Sequence, residues 1–130
     1  LDEKGLRAVN TYLNQTKVEI LNTDFEEAAS KARKGDFIYF DPPYDPVSDT
    51  SSFTGYNLSG FDKEEQTRLR RVFGNLDKKG CFVLLSNSAT EFIYDLYKDY
   101  KIVTVSAKRA INSKTSGRGK IDEVLVLNYG

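Results

Sequence analysis

Several residue types are scarce or absent in this sequence. Its 130 residues contain no histidine, no methionine, no tryptophan and one cysteine. Without histidine, the chain cannot build a Ser-His-Asp or Cys-His catalytic system or a histidine-ligated metal site. The single cysteine, Cys81, excludes an internal disulfide and a thiolate zinc cluster, as expected in a reducing cytosol. Because the chain opens at Leu1 and contains no methionine, we expect it to be a piece of a longer protein.

Charge is balanced overall but unevenly placed. The chain has 19 basic and 19 acidic residues, yet residues 19–49 contain eight acidic and three basic ones, a net charge of −5. Residues 104–120 contain five basic residues and no acidic one. This pattern suits an enzyme with a carboxylate site beside an anion-contacting loop, or simply two solvated surfaces of opposite charge. No apolar run approaches the roughly 20 residues that span a bilayer, so we expect a cytoplasmic protein without a membrane segment.

Helical and strand-like patterns alternate along the chain. Apolar periodicity and N-cap residues predict helices near residues 6–14, 24–35, 62–76 and 88–97. Apolar runs predict strands at 18–21, 37–40, 81–85, 102–105 and 124–127. The last two strands have no helix-length pattern between them, so we expect them to pair antiparallel. The sequence therefore predicts a three-layer α/β fold whose sheet is mostly parallel and ends in an antiparallel strand pair.

One tetrapeptide carries a chemical signal. Asp41-Pro42-Pro43-Tyr44 directly follows the apolar run 37–40, and in open α/β sheets ligands bind beyond the carboxyl ends of the strands. A rigid turn that ends a strand would explain the two prolines. It would not explain an acid before them and an aromatic residue after them.

Beyond this motif, the sequence resembles the Dam-type (DPPY) DNA adenine-N6 methyltransferases. The resemblance rests on "NTDF", "DPPY", "FTGYNLSGF", "LLSNS" and "RAINS…RGKIDEVLVLNY", in that order, over about residues 18–129. It implies a Rossmann-like methyltransferase fold, S-adenosylmethionine as methyl donor, no metal, and double-stranded DNA as partner. It further implies methylation of N6 on an adenine flipped out of the duplex, in a protein of prokaryotic or phage origin.

The chemistry of adenine explains why this motif suits the reaction. The exocyclic nitrogen is a poor nucleophile because its lone pair is delocalised into the ring. Two acceptors on its N–H bonds favour tetrahedral geometry, and the Asp41 carboxylate and the Pro42 carbonyl can supply them, with Pro43 restricting the backbone. Tyr44 offers an aromatic face on which a flipped base can stack.

Further candidate site residues follow from the resemblance. Asp24 and Phe25 are expected to bind the adenine of the cofactor, although Asp24 could instead be only a helix N-cap and Phe25 a core residue. The cofactor site would also include Asp41. The expected DNA contacts are the lid residues Phe53, Tyr56 and Asn57, the pocket residue Asn87 beside Ser86, and the phosphate-contacting residues Arg109, Lys114, Arg118 and Lys120. The lid residues could instead anchor an ordinary surface loop. The basic residues could instead belong to a loop that is simply solvated.

The family's glycine-rich F-x-G-x-G cofactor motif is absent from this sequence. In the Dam-type arrangement, that motif and the target-recognition domain both precede DPPY. We therefore expect residues 1–130 to be the carboxyl-terminal part of a catalytic domain, inactive without the amino-terminal part, and prone to self-association through exposed strand edges.

Two alternatives stay open at this level. Related motifs occur in methyltransferases that act on cytosine N4, on guanine N2 of ribosomal RNA, or on a release-factor glutamine. The chain could also be a non-catalytic DNA-binding or interaction module of the same fold.

Overall fold

A computed structural model describes residues 1–15, 17–47, 60–107 and 121–130. They divide into two compact units, Leu1–Ser30 and Lys31–Gly130, which are described separately. Phe53, Tyr56 and Asn57, and likewise Arg109, Lys114, Arg118 and Lys120, lie outside the described residues. Within the described ranges, no helix combines the length and the apolar character that crossing a membrane requires.

The first unit contains two helices, α1 (Glu3–Leu13) and α2 (Phe25–Ala29). The first ends at its C-cap Asn14, as predicted. Asp24 is the N-cap of the second helix, and its carboxylate accepts from the Glu26 N–H at 3.0 Å. This agrees with the interpretation of Asp24 as a helix N-cap. This helix ends at Ser30 and not near residue 35, so the prediction of its length was wrong.

The strand predicted at residues 18–21 is not formed. A strand needs a hydrogen-bonded neighbour, and the sheet that the described residues build contains no partner for this segment. Ile20 and Leu21 are accordingly exposed.

The second unit is a mixed α/β structure around a four-stranded sheet. Its elements in chain order are β1 (Phe37–Phe40), α3 (Lys63–Lys79), β2 (Phe82–Ser88), α4 (Glu91–Leu96), β3 (Lys101–Ala107) and β4 (Ile121–Leu127). The spatial order of the strands is β1-β2-β4-β3. β1 pairs parallel with β2, whereas β4 pairs antiparallel with both β2 and β3.

The prediction of a mostly parallel sheet was therefore wrong for the described strands, although the antiparallel pair of the last two strands is confirmed. β4 follows β3 without an intervening helix among the described residues, and it inserts between β2 and β3. One inserted strand of opposite direction creates two antiparallel ladders and leaves one parallel pair, β1 with β2.

The core lies on one face of this sheet. α3 begins at Asp62, whose carboxylate accepts from the Glu65 N–H at 2.9 Å, and ends at Gly80, whose φ of 86° favours glycine. Its buried stripe is Gln66, Leu69, Val72, Phe73 and Leu76. The fully buried residues of the sheet and of α4 include Val83, Leu85, Ile93, Val124 and Val126. α4 is capped by Thr90 and so begins later than the predicted residue 88, because Ser88 is still paired in β2.

The parallel pair positions the motif. Phe40, the last residue of β1, pairs with Leu85 of β2. The next residues of the two strands, Asp41 and Ser86, therefore emerge side by side at the carboxyl edge of the parallel pair. A ligand site at this edge is what the general rule for α/β sheets predicts.

Candidate active site

The carboxylate of Asp41 is held by the neighbouring strand. The Ser86 hydroxyl donates to Asp41 Oδ1 at 2.9 Å, and the hydroxyls of Ser86 and Tyr39 are 3.0 Å apart. A serine hydroxyl has one proton, so with Ser86 donating to Asp41, Tyr39 is the donor to Ser86. The three side chains form a directed chain of hydrogen bonds that ends on the carboxylate.

Tyr44 lies beside this chain and is half-buried. Burial raises the pKa of its phenol above the ordinary value of 10.0, and the charges of Glu123 and Asp41 act in the same direction. The Ser86 hydroxyl opposes the rise in pKa but does not reverse it. Tyr44 therefore keeps its proton at neutral pH and offers a neutral aromatic ring.

A second group of polar side chains holds the backbone on both sides of Tyr44. The Gln66 side-chain amide donates to the Pro43 carbonyl at 2.9 Å, and the Asp45 N–H donates to Asn87 Oδ1 at 2.9 Å. The Asn87 amide nitrogen in turn donates to Gln66 Oε1 at 3.1 Å. Gln66 is 1% exposed and Asn87 0%, so both amide side chains lie away from solvent.

The segment is also tied to α4. Asp45 is 5% exposed, and its Oδ2 accepts from the Thr90 hydroxyl at 2.7 Å. The same Thr90 oxygen accepts from the Ile93 N–H at 3.2 Å, which makes Thr90 the N-cap of α4. The chain after the motif is thus anchored to α3, β2 and α4 together.

A cavity of about 930 Å³ lies next to the motif but does not include it. It is lined by residues from Asp45 to Val47, by Lys63, and by residues of and before α4 such as Thr90 and Phe92. Neither Asp41 nor Tyr44 lines it. The two motif side chains therefore lie at the strand edge and not in this cavity.

The predicted site residues are distributed as follows. The structure brings Asp41 and Tyr44 together with Ser86 at one edge of the sheet. Asn87 lies beneath the motif, where its oxygen accepts from the N–H groups of Asp45 and Ser88. Asp24 and Phe25 belong to the other unit, where Asp24 is exposed and Phe25 partly buried.

Sequence reasoning missed several members of the site, namely Tyr39, Asp45, Gln66 and Thr90. Two of them had a readable signal. Tyr39 lies two residues before Asp41, and in a strand this spacing places both side chains on one face. Gln66 is the polar member of an otherwise apolar helical stripe, and a buried amide requires partners.

The sequence of the chain is similar to those of known proteins. Residues 1–111 match the family model of the D12 class N6 adenine-specific DNA methyltransferases. The chain is 48% identical, over its full length, to "Type II methyltransferase M1.LlaDCHI" of Lactococcus lactis subsp. cremoris, covering 46% of that protein. It is 42% identical over 98% of its length to "Type II methyltransferase M.MjaIII" of Methanocaldococcus jannaschii, covering 44% of it.

A third relative, "DNA N-6-adenine-methyltransferase" of Escherichia phage P1, is 35% identical over 82% of the chain, which covers 14% of that protein. The chain thus spans less than half the length of these three curated relatives. The family match covers most of the chain and includes Asp41–Tyr44 and the residues that hold them. The chain belongs to the D12 class of N6 adenine-specific DNA methyltransferases.

Proposed function

We propose that the full-length protein transfers a methyl group from S-adenosylmethionine to N6 of an adenine flipped out of duplex DNA. The observation that carries the proposal is the Asp41 carboxylate, whose Oδ1 accepts from Ser86 at the carboxyl edge of the parallel strand pair. Family membership and the printed names of the relatives support the same reaction.

The roles of the motif follow from what N6 requires. Ser86 engages Asp41 Oδ1, and we assign Oδ2 as the acceptor of one N6–H bond. The Pro42 carbonyl accepts the other, and the two acceptors together localise the nitrogen lone pair for in-line attack. This is catalysis by position and electrostatics, because the groups are held in place before the substrate arrives.

Tyr44 receives the flipped base in this proposal. Its neutral ring lies next to Asp41 and Ser86, and stacking on an aromatic ring is worth about 1–3 kcal/mol per base. That gain offsets part of the few kcal/mol that unstacking an adenine costs.

Asp24 and Phe25 have the chemistry to hold the adenine of S-adenosylmethionine. The Asp24 carboxylate is exposed at the start of α2, and a carboxylate accepts hydrogen bonds from an adenine amino group. Phe25 is partly exposed and offers a ring. When bound, S-adenosylmethionine supplies a methyl group on a positively charged sulfur.

The same proposal extends to fold and partners. The β1–α3–β2 unit, with its parallel strands, is consistent with part of a Rossmann-like methyltransferase fold. Duplex DNA would be the partner, with Arg109, Lys114, Arg118 and Lys120 at its phosphates and Phe53, Tyr56 and Asn57 around the flipped base. We place the activity in the cytoplasm of a prokaryotic cell, where a phage or host enzyme meets DNA.

Methyl transfer by the full-length protein tests this proposal. Tritiated S-adenosylmethionine is incubated with duplex DNA, with ribosomal RNA or with protein, and the product is hydrolysed to identify the methylated group. We expect N6-methyladenine from the wild type, none from Asp41→Ala, and an unchanged rate from Asp95→Ala, an exposed aspartate on α4. Duplex affinity of Asp41→Ala should stay within about two-fold of wild type, as expected for an interaction made at the transition state.

Other products would overturn the assignment in defined ways. Methylated cytosine N4 or guanine N2 would move the activity to another amino group. Absence of any methylated product would favour a non-catalytic module, and normal turnover by Asp41→Ala would remove Asp41 from the mechanism.

A further inference from the structure

We propose that Gln66 and Asn87 are positioning residues that hold the backbone on both sides of Tyr44 in the geometry required for methyl transfer. The inference rests on the proposed function, because it concerns the rate of that reaction. Asn87 then binds the backbone N–H of Asp45 and does not contact the flipped base.

The two anchored groups belong to consecutive peptide units. The Pro43 carbonyl, bound by Gln66 at 2.9 Å, belongs to the peptide that precedes Tyr44. The Asp45 N–H, bound by Asn87 at 2.9 Å, belongs to the peptide that follows it. With both units fixed, the direction in which the Tyr44 side chain leaves the backbone is fixed as well.

The hydrogen bond from Gln66 to the Pro43 carbonyl also limits the position of the Pro42 carbonyl, the proposed acceptor. Pro43 has φ restricted to about −65° by its ring, so ψ of Pro43 is the one free torsion between the held Pro43 carbonyl and the peptide unit that contains the Pro42 carbonyl. The Asp41 carboxylate is held separately, by Ser86. The Asp41 carboxylate is therefore supported directly, and the Pro42 carbonyl indirectly, through Pro43.

The hydrogen bonds are consistent with one orientation of each amide. Asn87 Oδ1 accepts from two backbone N–H groups, those of Asp45 and Ser88, so the Asn87 nitrogen must face Gln66. Gln66 accepts there with Oε1 and thereby turns its own nitrogen to the Pro43 carbonyl. Reversing either amide would oppose two donors or two acceptors, which is costly in a buried site.

Packing of the helix against the core does not require an amide side chain at position 66. The other buried members of the α3 stripe are apolar, namely Leu69, Val72, Phe73 and Leu76. An apolar side chain could fill the same volume without the cost of burying an amide. The amide of Gln66 is explained by its partner, the Pro43 carbonyl.

Three variants of the full-length protein test the proposal. Gln66→Met preserves length and burial but removes both hydrogen bonds. Gln66→Glu retains an acceptor for Asn87 and gives the Pro43 carbonyl a donor only when its carboxyl is protonated. Thr67→Val is the matched control, because Thr67 is exposed on the same helix and its hydroxyl bonds the Lys63 carbonyl within that helix.

The measurement is the single-turnover rate of methyl transfer, together with dissociation constants for duplex DNA and S-adenosylmethionine and the melting temperature. We expect Gln66→Met to lower the rate about 10- to 100-fold, the scale of small misplacements of reacting groups. Both dissociation constants should stay within about three-fold of wild type, because the lost contact is internal. Thr67→Val should retain the wild-type rate.

Gln66→Glu adds a readout that a purely structural role would not produce. Burial raises the pKa of a carboxyl introduced at this position, because Gln66 is 1% exposed. Its protonated form donates to the Pro43 carbonyl, and its ionised form opposes that carbonyl with a negative charge. The rate of this variant relative to wild type should therefore rise at least several-fold as pH falls from 8 to 6.

Each other outcome is decisive. Wild-type rates in Gln66→Met, or a ratio for Gln66→Glu that does not change with pH, overturn the positioning role. Failure of both variants to fold, with Thr67→Val folded, assigns Gln66 to stability instead. An inactive wild type rejects the proposed function itself, and is thereby distinguished from failure of this inference.

Discussion

The hydroxyl of Ser86 donates to Asp41 Oδ1 at 2.9 Å and links the first residue after β1 to the parallel neighbour β2. Ser86 is 3% exposed whereas Asp41 is exposed, so a buried hydroxyl holds one oxygen of a carboxylate that solvent can reach. The Ser86 hydroxyl in turn accepts a hydrogen bond from the Tyr39 hydroxyl. Among the residues that the structure describes, the side chain that orients the carboxylate thus belongs to the sheet.

Removing this hydroxyl should slow methyl transfer without preventing it. Hydrogen bonds to a charged group are worth about 1.5–3 kcal/mol, so we expect Ser86→Ala to lower the single-turnover rate by roughly 10- to 100-fold. Ser88→Ala, a buried serine of the same strand, should change the rate by less than about two-fold, since its side chain is not assigned to the carboxylate. Equal rates in the two variants would mean that Asp41 is oriented by other groups.

At Tyr44 the ring should matter more than the hydroxyl. Stacking of about 1–3 kcal/mol per base predicts that Tyr44→Ala loses roughly 5- to 150-fold in rate, whereas Tyr44→Phe loses little. Flipping can be followed with 2-aminopurine at the target position, whose fluorescence rises on leaving the stack. Equal losses in both variants would count against stacking.

The pH dependence of the Tyr44→Phe variant provides a second check. Burial raises the pKa of Tyr44 above 10.0, so the wild-type phenol stays protonated throughout pH 6–9. Removing a group that does not titrate cannot change the shape of the profile. The pH–rate curves of wild type and Tyr44→Phe should therefore be parallel over this range, and a divergence below pH 9 would show that the hydroxyl takes part in proton transfer.

The basic residues after β3 give a prediction based on sequence alone, since they lie outside the described residues. If Arg109 and Arg118 each neutralise a DNA phosphate, replacing both with alanine should reduce the slope of log affinity against log salt by about 1.8, at roughly 0.9 per phosphate. The slope is measured by titrating duplex DNA at several salt concentrations. An unchanged slope would assign these two residues to a solvated surface.

Local sequence was sufficient to predict some elements and not others. The apolar run 37–40, the helix that starts at Asp62 and the N-cap role of Asp24 depend on neighbouring residues, and all three are confirmed. The direction of strand pairing depends on which strands become neighbours in space. Nothing local indicates that β4 inserts between β2 and β3, so the sheet was predicted as mostly parallel.

The same distinction applies to the site. The motif at Asp41–Tyr44 is contiguous and could be recognised in the sequence. Its supports are distant, because Gln66 lies 23 residues from Pro43 and Asn87 lies 42 from Asp45. Such pairings become apparent only when α3 and β2 are packed together, which is why a polar residue in a helical stripe was not assigned a partner.

A last prediction concerns stability and the buried phenol of Tyr97. This side chain is 0% exposed, and its hydroxyl has no hydrogen-bond partner among the described residues. Burial raises its pKa well above the ordinary value, and the nearby Arg70 charge only partly opposes this. Because an unpaired buried hydroxyl stabilises nothing, Tyr97→Phe should leave the free energy of unfolding at pH 8 unchanged or raise it by up to about 1 kcal/mol.

The effect should grow in alkali. The folded pKa lies above the unfolded value near 10.0. The contribution of Tyr97 to stability is therefore fully present below pH 10 and is lost as pH rises further, because this phenol then ionises only in the unfolded chain. Tyr97→Phe lacks this loss, and its advantage should increase by up to about 1.4 kcal/mol per pH unit above pH 10. Urea unfolding of the full-length protein at pH 8 and pH 10.5 measures both effects. Tyr94→Phe is the control, since Tyr94 lies in α4, the helix whose C-cap is Tyr97, but bonds the Thr104 hydroxyl. A loss above about 1 kcal/mol for Tyr97→Phe at pH 8 would show that the Tyr97 hydroxyl has a stabilising partner.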